Sequence, residues 1–402
     1  MSEALARALR SNPDLQVYPY EQRAVEADKL QAGLRANPEL GVTLENFGGT
    51  GATRGAKSLE TTLTLSQLIE LGDKRERRVE VADAALRGAE IGYSIARLDA
   101  LAETTRRYVD VAEAQAQLEV AQRAINLAQQ AGVSVEKRIH AGAVSTAERN
   151  RASIALLRAQ LDLQRVQGEL DARRVALSAM WGQSVPDFTT VAGDLNEIPP
   201  LADFASFVAK FKTSPNFARF ATERRLRESE LRLAQAEAVP NLTVGAGLRR
   251  LEADSANGGS GAGYGLVASL SLPLPVFNRN QGAIAAAQAR IGQSDAERDA
   301  SFLRSRVVLY GLYQAAVQAR RQSTALRGEA LIEAEQALTL TQRGFANGRF
   351  SFLELTDAQR QVLELREQAI TASADAQRLD AEIERLTAQP IVAATTTSGV
   401  TP

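Results

Sequence analysis

The stretches AGAVSTAE (residues 141–148) and NGRFSFLE (residues 347–354) carry glycine, serine and glutamate at the same spacing, and the second begins 206 residues after the first. Long runs of helix-forming residues flank both stretches. Gly142 and Gly348 fit the position just after a helix C-terminus, where the backbone takes a left-handed conformation that glycine adopts without steric penalty. Each stretch therefore predicts the end of one helix.

Each stretch also predicts the start of the next helix. Ser145 and Ser351 are favourable N-cap residues, and Glu148 and Glu354, three positions later, complete the S-x-x-E pattern of a capping box. A helix ends and another begins within about four residues, which predicts the tip of an antiparallel helical hairpin. One such tip is common in helical proteins, but two in the same register indicate a duplication of the chain.

The composition excludes several classes of function. The 402-residue chain carries 47 Lys and Arg against 48 Asp and Glu, and its net charge of −1 gives no reason to expect a nucleic acid as partner. Cysteine is absent and His140 is the single histidine, so we expect no thiolate chemistry, no cofactor and no transition-metal site. The nucleotide-binding and hydrolase motifs are also missing, and we expect no enzyme activity.

No run of 18 consecutive apolar residues is present, so no transmembrane helix is expected. The first residues, MSEALA, lack the basic and apolar regions of a secretory signal. Read alone, this start indicates the cytoplasm, but it equally fits a chain whose signal peptide has been removed.

The duplication predicts two tandem structural repeats, residues 1–200 and 201–402. In each repeat, two prolines 25 residues apart bound a charged amphipathic segment, which predicts helices at 13–37 and 215–239.

Alternating apolar and polar residues with glycine-rich loops then predict a β-hairpin in each repeat, at 39–66 and 241–272. In the second hairpin, for example, Leu242, Val244 and Leu248 fall on one face of a strand. The remaining elements are, in chain order, long helix 74–140, tip 141–148, helix 145–181 and linker 181–200, then long helix 278–346, tip 347–354, helix 351–388 and a disordered tail at 390–402. Each long helix would be roughly 100 Å in length.

The helices that return from the tips carry a 3-4 repeat of apolar residues. In the second it is unbroken and comprises Leu355, Ala358, Val362, Leu365, Ala369, Ala372, Ala376, Leu379, Ile383 and Leu386. In the first, the same register is interrupted at Arg149 and Arg173. A sustained period of 3.5 residues predicts left-handed coiled-coil packing. A soluble coiled-coil scaffold would explain this repeat, but it would leave the strands without a purpose.

The four strands lead to a membrane hypothesis. Strands of about 9–11 residues suit an outer membrane, but only closed barrels span it and small barrels start at about eight strands. If the hairpins are membrane strands, several chains must contribute to one barrel. The sequence then predicts one subunit of a conduit made of a barrel and a helical tube.

The order of elements resembles that of the outer-membrane efflux proteins, the TolC-like outer-membrane factors of tripartite pumps, over nearly the whole chain. The resemblance rests on NPDL (residues 12–15), the paired β-hairpins, LPLPVFNRNQG (residues 272–282) and the two Gly-x-x-Ser-x-x-Glu tips. It is greatest for the branch that serves heavy-metal cation exporters of the resistance-nodulation-division (RND) type.

This resemblance implies a mainly α protein with a small membrane β part, in which four strands of each chain contribute to the 12-stranded barrel of a homotrimer. It implies a passive exit duct in the outer membrane that extends into the periplasm. The implied partners are a periplasmic adaptor (membrane fusion) protein, an inner-membrane RND transporter and outer-membrane lipid. The implied cargo is heavy-metal cations, and a duct for organic drugs or for type I protein secretion is the alternative. Family members often carry a lipidated N-terminal cysteine, which this chain either lacks or carries in a removed segment.

The resemblance also assigns the tips to adaptor docking. The tip residues are Gly142, Ala143, Val144, Ser145, Glu148, Gly348, Arg349, Phe350, Ser351 and Glu354. Many family entrances carry an acidic ring, for which Glu354 and Asp357 are the nearest candidates.

Overall fold

The protein is described by a computed structural model that covers residues 1–56, 58–252 and 261–389. The predicted disordered tail at 390–402 lies outside the described residues. The elements, in chain order, are α1 (Ser2–Ser11), α2 (Tyr18–Ala32), β1 (Glu39–Glu45), β2 (Glu60–Ile69), α3 (Lys74–His140), α4 (Thr146–Ser178), α5 (Phe204–Thr213), α6 (Pro215–Glu237), β3 (Leu242–Leu251), β4 (Gly263–Ser271), α7 (Gln281–Ala325), α8 (Leu331–Ala346) and α9 (Phe352–Thr387). The prediction of a mainly α protein with a small sheet is confirmed.

The chain packs as two compact units, and each unit takes segments from both halves of the sequence. The helical unit contains Met1–Tyr18, Ile91–Ala218 and the described residues from Ala300 onward. The strand unit contains Pro19–Glu90 and Arg219–Asp299. The division into repeats at residues 200 and 201 stays a prediction. Within the described ranges, no helix combines the length and the hydropathy needed to cross a bilayer.

The helix predicted at 13–37 is wrong at both ends. Asn12 does cap a turn, because its Oδ1 accepts hydrogen bonds from the backbone N–H groups of Asp14 and Leu15 at 3.0 and 3.2 Å. That turn is a short 3₁₀ helix, and α2 starts only at Tyr18. The helix then stops at Ala32, well before the Asn-Pro pair, whose first residue is restricted to extended backbone. The helix predicted at 215–239 ends two residues early, at Glu237.

The first long helix is confirmed at 74–140, but the second differs from the predicted 278–346. It begins at Gln281, because Asn280 has a positive φ of 59°. It also contains a π turn at Leu326–Ala330, which the sequence analysis missed.

The cause of the π turn is a change of spacing among the buried residues. Leu309, Ala316 and Ser323 recur every seven residues, and so do the later residues that pack on α9. Eight residues separate Ser323 from Leu331, the first of the later set. A π turn accommodates one extra residue and keeps both sets on the packed side of the helix.

The returning helices are shorter than predicted and confirm the apolar repeat. The predicted 145–181 becomes α4 (146–178) followed by a 3₁₀ turn at Ala179–Trp181, and 351–388 becomes α9 (352–387). In α9, six of the ten repeat positions are at most 4% exposed, namely Leu355, Val362, Ala369, Ala372, Ala376 and Ile383.

The two arginines that interrupt the repeat in α4 are each paired with a glutamate of α3. Arg149 binds Glu136 through two hydrogen bonds of 2.6 and 2.9 Å, and Arg173 lies 3.0 Å from Glu113. The interruptions therefore mark electrostatic contacts between helices and not loss of packing.

Glu113 is the buried centre of an ionic cluster that joins three helices of the helical unit. Its side chain is 6% exposed and contacts Arg173 of α4 and Arg378 of α9. Arg378 Nε also donates to Asp110 Oδ1 at 2.7 Å. Burial acts to lower the pKa of Arg378, but the bonds and charges of Glu113 and Asp110 outweigh burial and raise that pKa above its ordinary value.

The four helices that lead to and from the tips pack side by side in the order α4, α3, α9, α8. The ion pairs above join α4 to α3. Gln359 Nε2 of α9 donates to the Leu127 carbonyl of α3 at 3.4 Å. Arg366 of α9 bonds Glu335 of α8. In the part of the chain that the structure describes, no hydrogen bond or ion pair joins α4 to α8.

The strands form one antiparallel sheet in the order β1-β2-β3-β4. Strand β2 runs three residues past the predicted hairpin end at 66, because Gln67, Leu68 and Ile69 pair with Val244, Thr243 and Leu242. The central pair β2–β3 joins the two halves of the sequence. Strands β1 and β4 are the two edges.

Replacing Glu113 with Gln keeps the shape of the side chain and removes its charge. We expect a loss of about 1–3 kcal/mol in unfolding free energy, because Arg173 and Arg378 lose their shared counter-charge. Thermal unfolding followed by circular dichroism measures this loss. Asp162→Asn, which removes an exposed partner of Arg165, is the matched control and should cost less than about 0.5 kcal/mol. An equal effect of both changes would contradict a stabilising role for the cluster.

Candidate functional site

The chain makes a tight turn at both predicted tips, and the helix that enters each turn ends in a Schellman motif. Gly142 and Gly348 have φ values of 68° and 75°, as the sequence predicts. At the first tip, Ala143 N–H donates to the Arg138 carbonyl and Gly142 N–H to the Ile139 carbonyl, both at 2.9 Å. The second tip repeats this pattern one for one. The helix ends are therefore satisfied locally and the turns are well defined.

The capping box predicted at both tips is present only at the second. The Ser351 N–H donates to Glu354 Oε2 at 2.7 Å, and the Glu354 N–H donates to Ser351 Oγ at 3.3 Å. Both bonds from Ser351, through its backbone N–H and then its hydroxyl, hold the pKa of the Glu354 carboxyl below its ordinary value.

The capping box predicted at Ser145 is wrong. Ser145 has the extended backbone of an N-cap, but its side chain makes no capping bond. The Glu148 N–H instead donates to the Ser145 carbonyl at 3.1 Å, so it is not left for the hydroxyl. Glu148 Oε2, which would accept from the Ser145 N–H in a capping box, is buried without a hydrogen-bond partner among the described residues.

The two tips are held together by Arg138, a residue that the sequence analysis did not identify. Its Nη1 donates to the carbonyls of Phe345 and Phe350 at 3.3 and 3.4 Å. Its guanidinium also lies 4.5 Å from the centre of the Phe345 ring, a cation–π contact. A basic residue in the last turn of a helix usually complements the helix dipole, so no separate signal for this role is visible in the sequence.

Apolar packing continues beneath this contact. One buried cluster draws on all four helices and comprises Ala131, Val135, Ala152, Leu338, Phe345, Phe352, Leu355 and Val362. Gly344 leaves room for the ring of Phe350, because a Cβ at this position would lie 2.1 Å from that ring and would displace it. The two tips therefore pack together at one end of the four helices.

Most of the predicted tip residues are exposed. Gly142, Ala143, Ser145, Gly348, Arg349, Ser351 and Glu354 are exposed, Phe350 is 39% exposed, and Val144 and Glu148 are half-buried. Leu353 was missed, although at 72% exposure it is the most prominent apolar side chain of the second tip. The sequence does contain a signal for an exposed apolar residue here, because Leu353 lies just before the 3-4 repeat begins and is not part of it.

The two candidates for an acidic ring each have a partner within the chain. Glu354 caps its own helix, as above. Asp357 lies 2.5 Å from Arg360 in an exposed ion pair. Both carboxylates remain accessible, and the acidic ring stays a prediction.

The strand unit carries a second candidate surface, an apolar face of the sheet. Directly opposed residues of an antiparallel pair point to the same face. One row across all four strands is Val42, Leu63, Leu248 and Leu266, and these side chains are 46–88% exposed. An exposed apolar patch of this extent in a folded protein marks a surface that contacts lipid or another protein.

The other face of the sheet is polar. Thr43, Thr62 and Arg249 form its matching row. Arg249 lies 3.1 Å from Glu60 and 3.8 Å from Glu45. The sheet therefore separates an apolar side from a polar side, as the alternation in the sequence predicts.

Protonation of Glu354 should release the cap of α9. Since the folded pKa of Glu354 is lowered, its contribution is complete above the ordinary glutamate pKa of about 4.3 and is lost as the pH falls through the folded value. A nitroxide label on Leu353→Cys should become more mobile over this range, as measured by electron paramagnetic resonance. A label on Thr146→Cys, where no such cap forms, is the control, and an equal mobility step there would contradict the assignment.

The comparisons with known proteins agree with this architecture. The family model "Outer membrane efflux protein" matches residues 4–183 and 211–389. The cobalt-zinc-cadmium resistance protein CzcC of Cupriavidus metallidurans is 28% identical over 91% of this chain and 84% of its own length.

Solved structures share the fold. The structure of CusC, described in terms of conformational changes that accompany folding and transmembrane channel formation, has a TM-score of 0.77 at 17% identity over 96% of this chain and 91% of its own. The outer membrane protein VceC of Vibrio cholerae has a TM-score of 0.70 at 18% identity over 97% and 96% of the two chains. With the family match over most of the sequence, the chain belongs to the outer membrane efflux protein family.

Proposed function

We propose that three copies of this chain form a passive duct across the outer membrane, in which each contributes four strands to a 12-stranded barrel. The observation that carries this proposal is the open sheet with one apolar face. Strands β2, β3 and β4 have 10, 10 and 9 residues, which suits a tilted strand that crosses a bilayer. Four strands are too few to close, so β1 of one copy would pair with β4 of the next.

In this assembly, the apolar row of Val42, Leu63, Leu248 and Leu266 contacts lipid. The polar row around Arg249 then lines the lumen, where water and ion pairs satisfy it. A soluble coiled-coil scaffold, the alternative from another class, has no use for such a sheet and does not fit the family.

The tips dock on a periplasmic adaptor, and an inner-membrane RND transporter supplies the energy. The support is that both tips are exposed, well defined and joined by Arg138. Phe350 and Leu353 offer exposed apolar area. The chain itself carries out no reaction and works as a channel.

The cargo that we propose is divalent heavy-metal cations. The support is the name of the relative CzcC, which is a cobalt, zinc and cadmium resistance protein. Organic compounds and type I secretion substrates are the alternatives that the experiment on cargo must separate.

Deletion of the gene in its host should lower the concentrations of cobalt, zinc or cadmium salts that stop growth, and the cloned gene should restore them. The matched measurement uses cationic dyes and hydrophobic antibiotics on the same strains. Sensitivity limited to those organic compounds would reject the metal cargo while it leaves the duct intact.

The orientation of the sheet is tested by adjacent residues on opposite faces. Val42→Arg puts a charge on the lipid side and should cost about 2–4 kcal/mol near the bilayer midplane, so the amount of protein in the outer membrane should fall. Thr43→Arg puts the same charge on the polar side and should insert as the parent does. Immunoblotting of membrane fractions measures both, and equal loss in both variants would contradict the barrel.

The docking role of the second tip is tested at Gly344. Gly344→Ala should displace the Phe350 ring, while its helix propensity changes unfolding free energy by less than about 1 kcal/mol. We expect reduced cation resistance at an unchanged level in the outer membrane. Gly132→Ala, at a glycine with no atom within 4 Å of an added Cβ, is the control and should behave as the parent. Full resistance in the Gly344 variant would argue against docking through Phe350.

A further inference from the structure

The four-helix row of the helical unit has two outer members, α4 and α8, and each presents an uncovered face. On α4, Ile154, Leu157 and Leu161 are 52%, 56% and 56% exposed and lie along one stripe. This stripe is opposite to the side that packs on α3, where Ala152 and Val166 are buried. We call it the α4 edge.

The α4 edge is basic. Arg151 and Arg158 are exposed beside the apolar stripe, and among the described residues neither makes an ion pair or a hydrogen bond. This differs from Arg149, which lies on the other side of the helix and pairs with α3. The cations at this edge therefore have no partner within the described chain.

The outer face of α8 has the complementary character. Ile332 and Leu340 are 52% and 63% exposed. Glu333 beside them, and Glu329 in the preceding π turn, are exposed and make no ion pair in the described part of the chain. Arg343 adds one cation close to the tip. We call this surface the α8 edge, and away from the tip it is apolar and acidic.

The two edges match in height above the tips. Arg158 lies 12 residues after Thr146, where α4 begins, and Glu333 lies 13 residues before Ala346, where α8 ends. At 1.5 Å per residue, both lie roughly 20 Å from their tips, and Leu161 and Ile332 lie at about the same level. Since the tips share one apolar cluster, these heights are counted from a common end.

We propose that the α4 edge of one copy packs on the α8 edge of the next copy, with Arg158 facing Glu333 and the apolar stripes in contact. The chain directions favour this arrangement, because α4 runs away from the tips and α8 runs towards them, so the alternation within the row continues across the contact. The two edges differ, which makes the interface heterologous, and such an interface closes into a ring when the rotation between copies is one third of a turn, as the proposed trimer requires. This inference rests on the proposed trimer and names its contact surface in the helical unit.

Because the chain has no cysteine, paired cysteines test the contact directly. In outer membranes that carry Arg158→Cys with Glu333→Cys, a short bismaleimide should link copies into a covalent dimer and trimer. Each single variant should stay uncrosslinked, and co-expression of the two single variants should give only a dimer. Arg158→Cys with Glu364→Cys is the matched control, because Glu364 lies 13 residues after Ser351 at the same height but on α9, inside the row.

Charge reversal gives a second measurement. Arg158→Glu should lower the assembled fraction on native electrophoresis by about tenfold, since every contact in the ring loses an attraction and gains a repulsion. Adding Glu333→Arg should restore assembly, and adding Glu364→Arg should not.

The outcomes separate this inference from the proposed function. A trimer by light scattering that gives no Arg158–Glu333 crosslink overturns the contact and leaves the duct. A monomer both in membranes and in detergent overturns the duct and the contact together. A crosslink from Arg158→Cys to a different protein overturns the contact in favour of an adaptor on this edge.

Discussion

The hydrogen-bonding requirement of the edge strands is the constraint on which the rest of this structure depends. Strands β1 and β4 each leave a row of backbone groups without a strand partner among the described residues, beside a face of exposed leucine and valine side chains. In a bilayer, such groups must be satisfied by other strands, since neither lipid nor water can do so. A barrel shared among copies meets this requirement and also places the apolar face against lipid.

In the helical unit, the corresponding constraint is register, which is the position of each helix along the axis of its neighbour. Its contacts are rich in alanine, and small side chains allow close approach but define the sliding position of two helices poorly. Ionic groups between helices supply that definition. Glu113 with Arg173 and Arg378 is one example, and Arg320 with Asp380, two bonds of 2.7 Å between largely buried side chains, is another. Burying these charges costs free energy, but a shifted register would cost more because it would leave them unpaired.

Local chemistry explains most of what could be predicted from the sequence. Gly348 and Ser351 act within a single turn, and the structure shows both as expected. The same signal at Ser145 failed, because the backbone carbonyl and the hydroxyl of Ser145 compete for the N–H group of Glu148, and the carbonyl accepts it. The π turn had a signal in the eight-residue spacing before Leu331, but such a spacing can be read only once the buried residues on either side are known.

Propensity, glycine conformation and periodicity act over a few residues, so the sequence alone predicts the helices and strands, the two tips, the alternation of the sheet and the apolar repeat of α9. The folded chain is needed to show that β2 pairs with β3, that Arg138 joins the tips, and that α4 and α8 are the outer helices of the row. Those features depend on contacts between residues that are distant along the chain, and no local pattern encodes which distant partner a side chain meets.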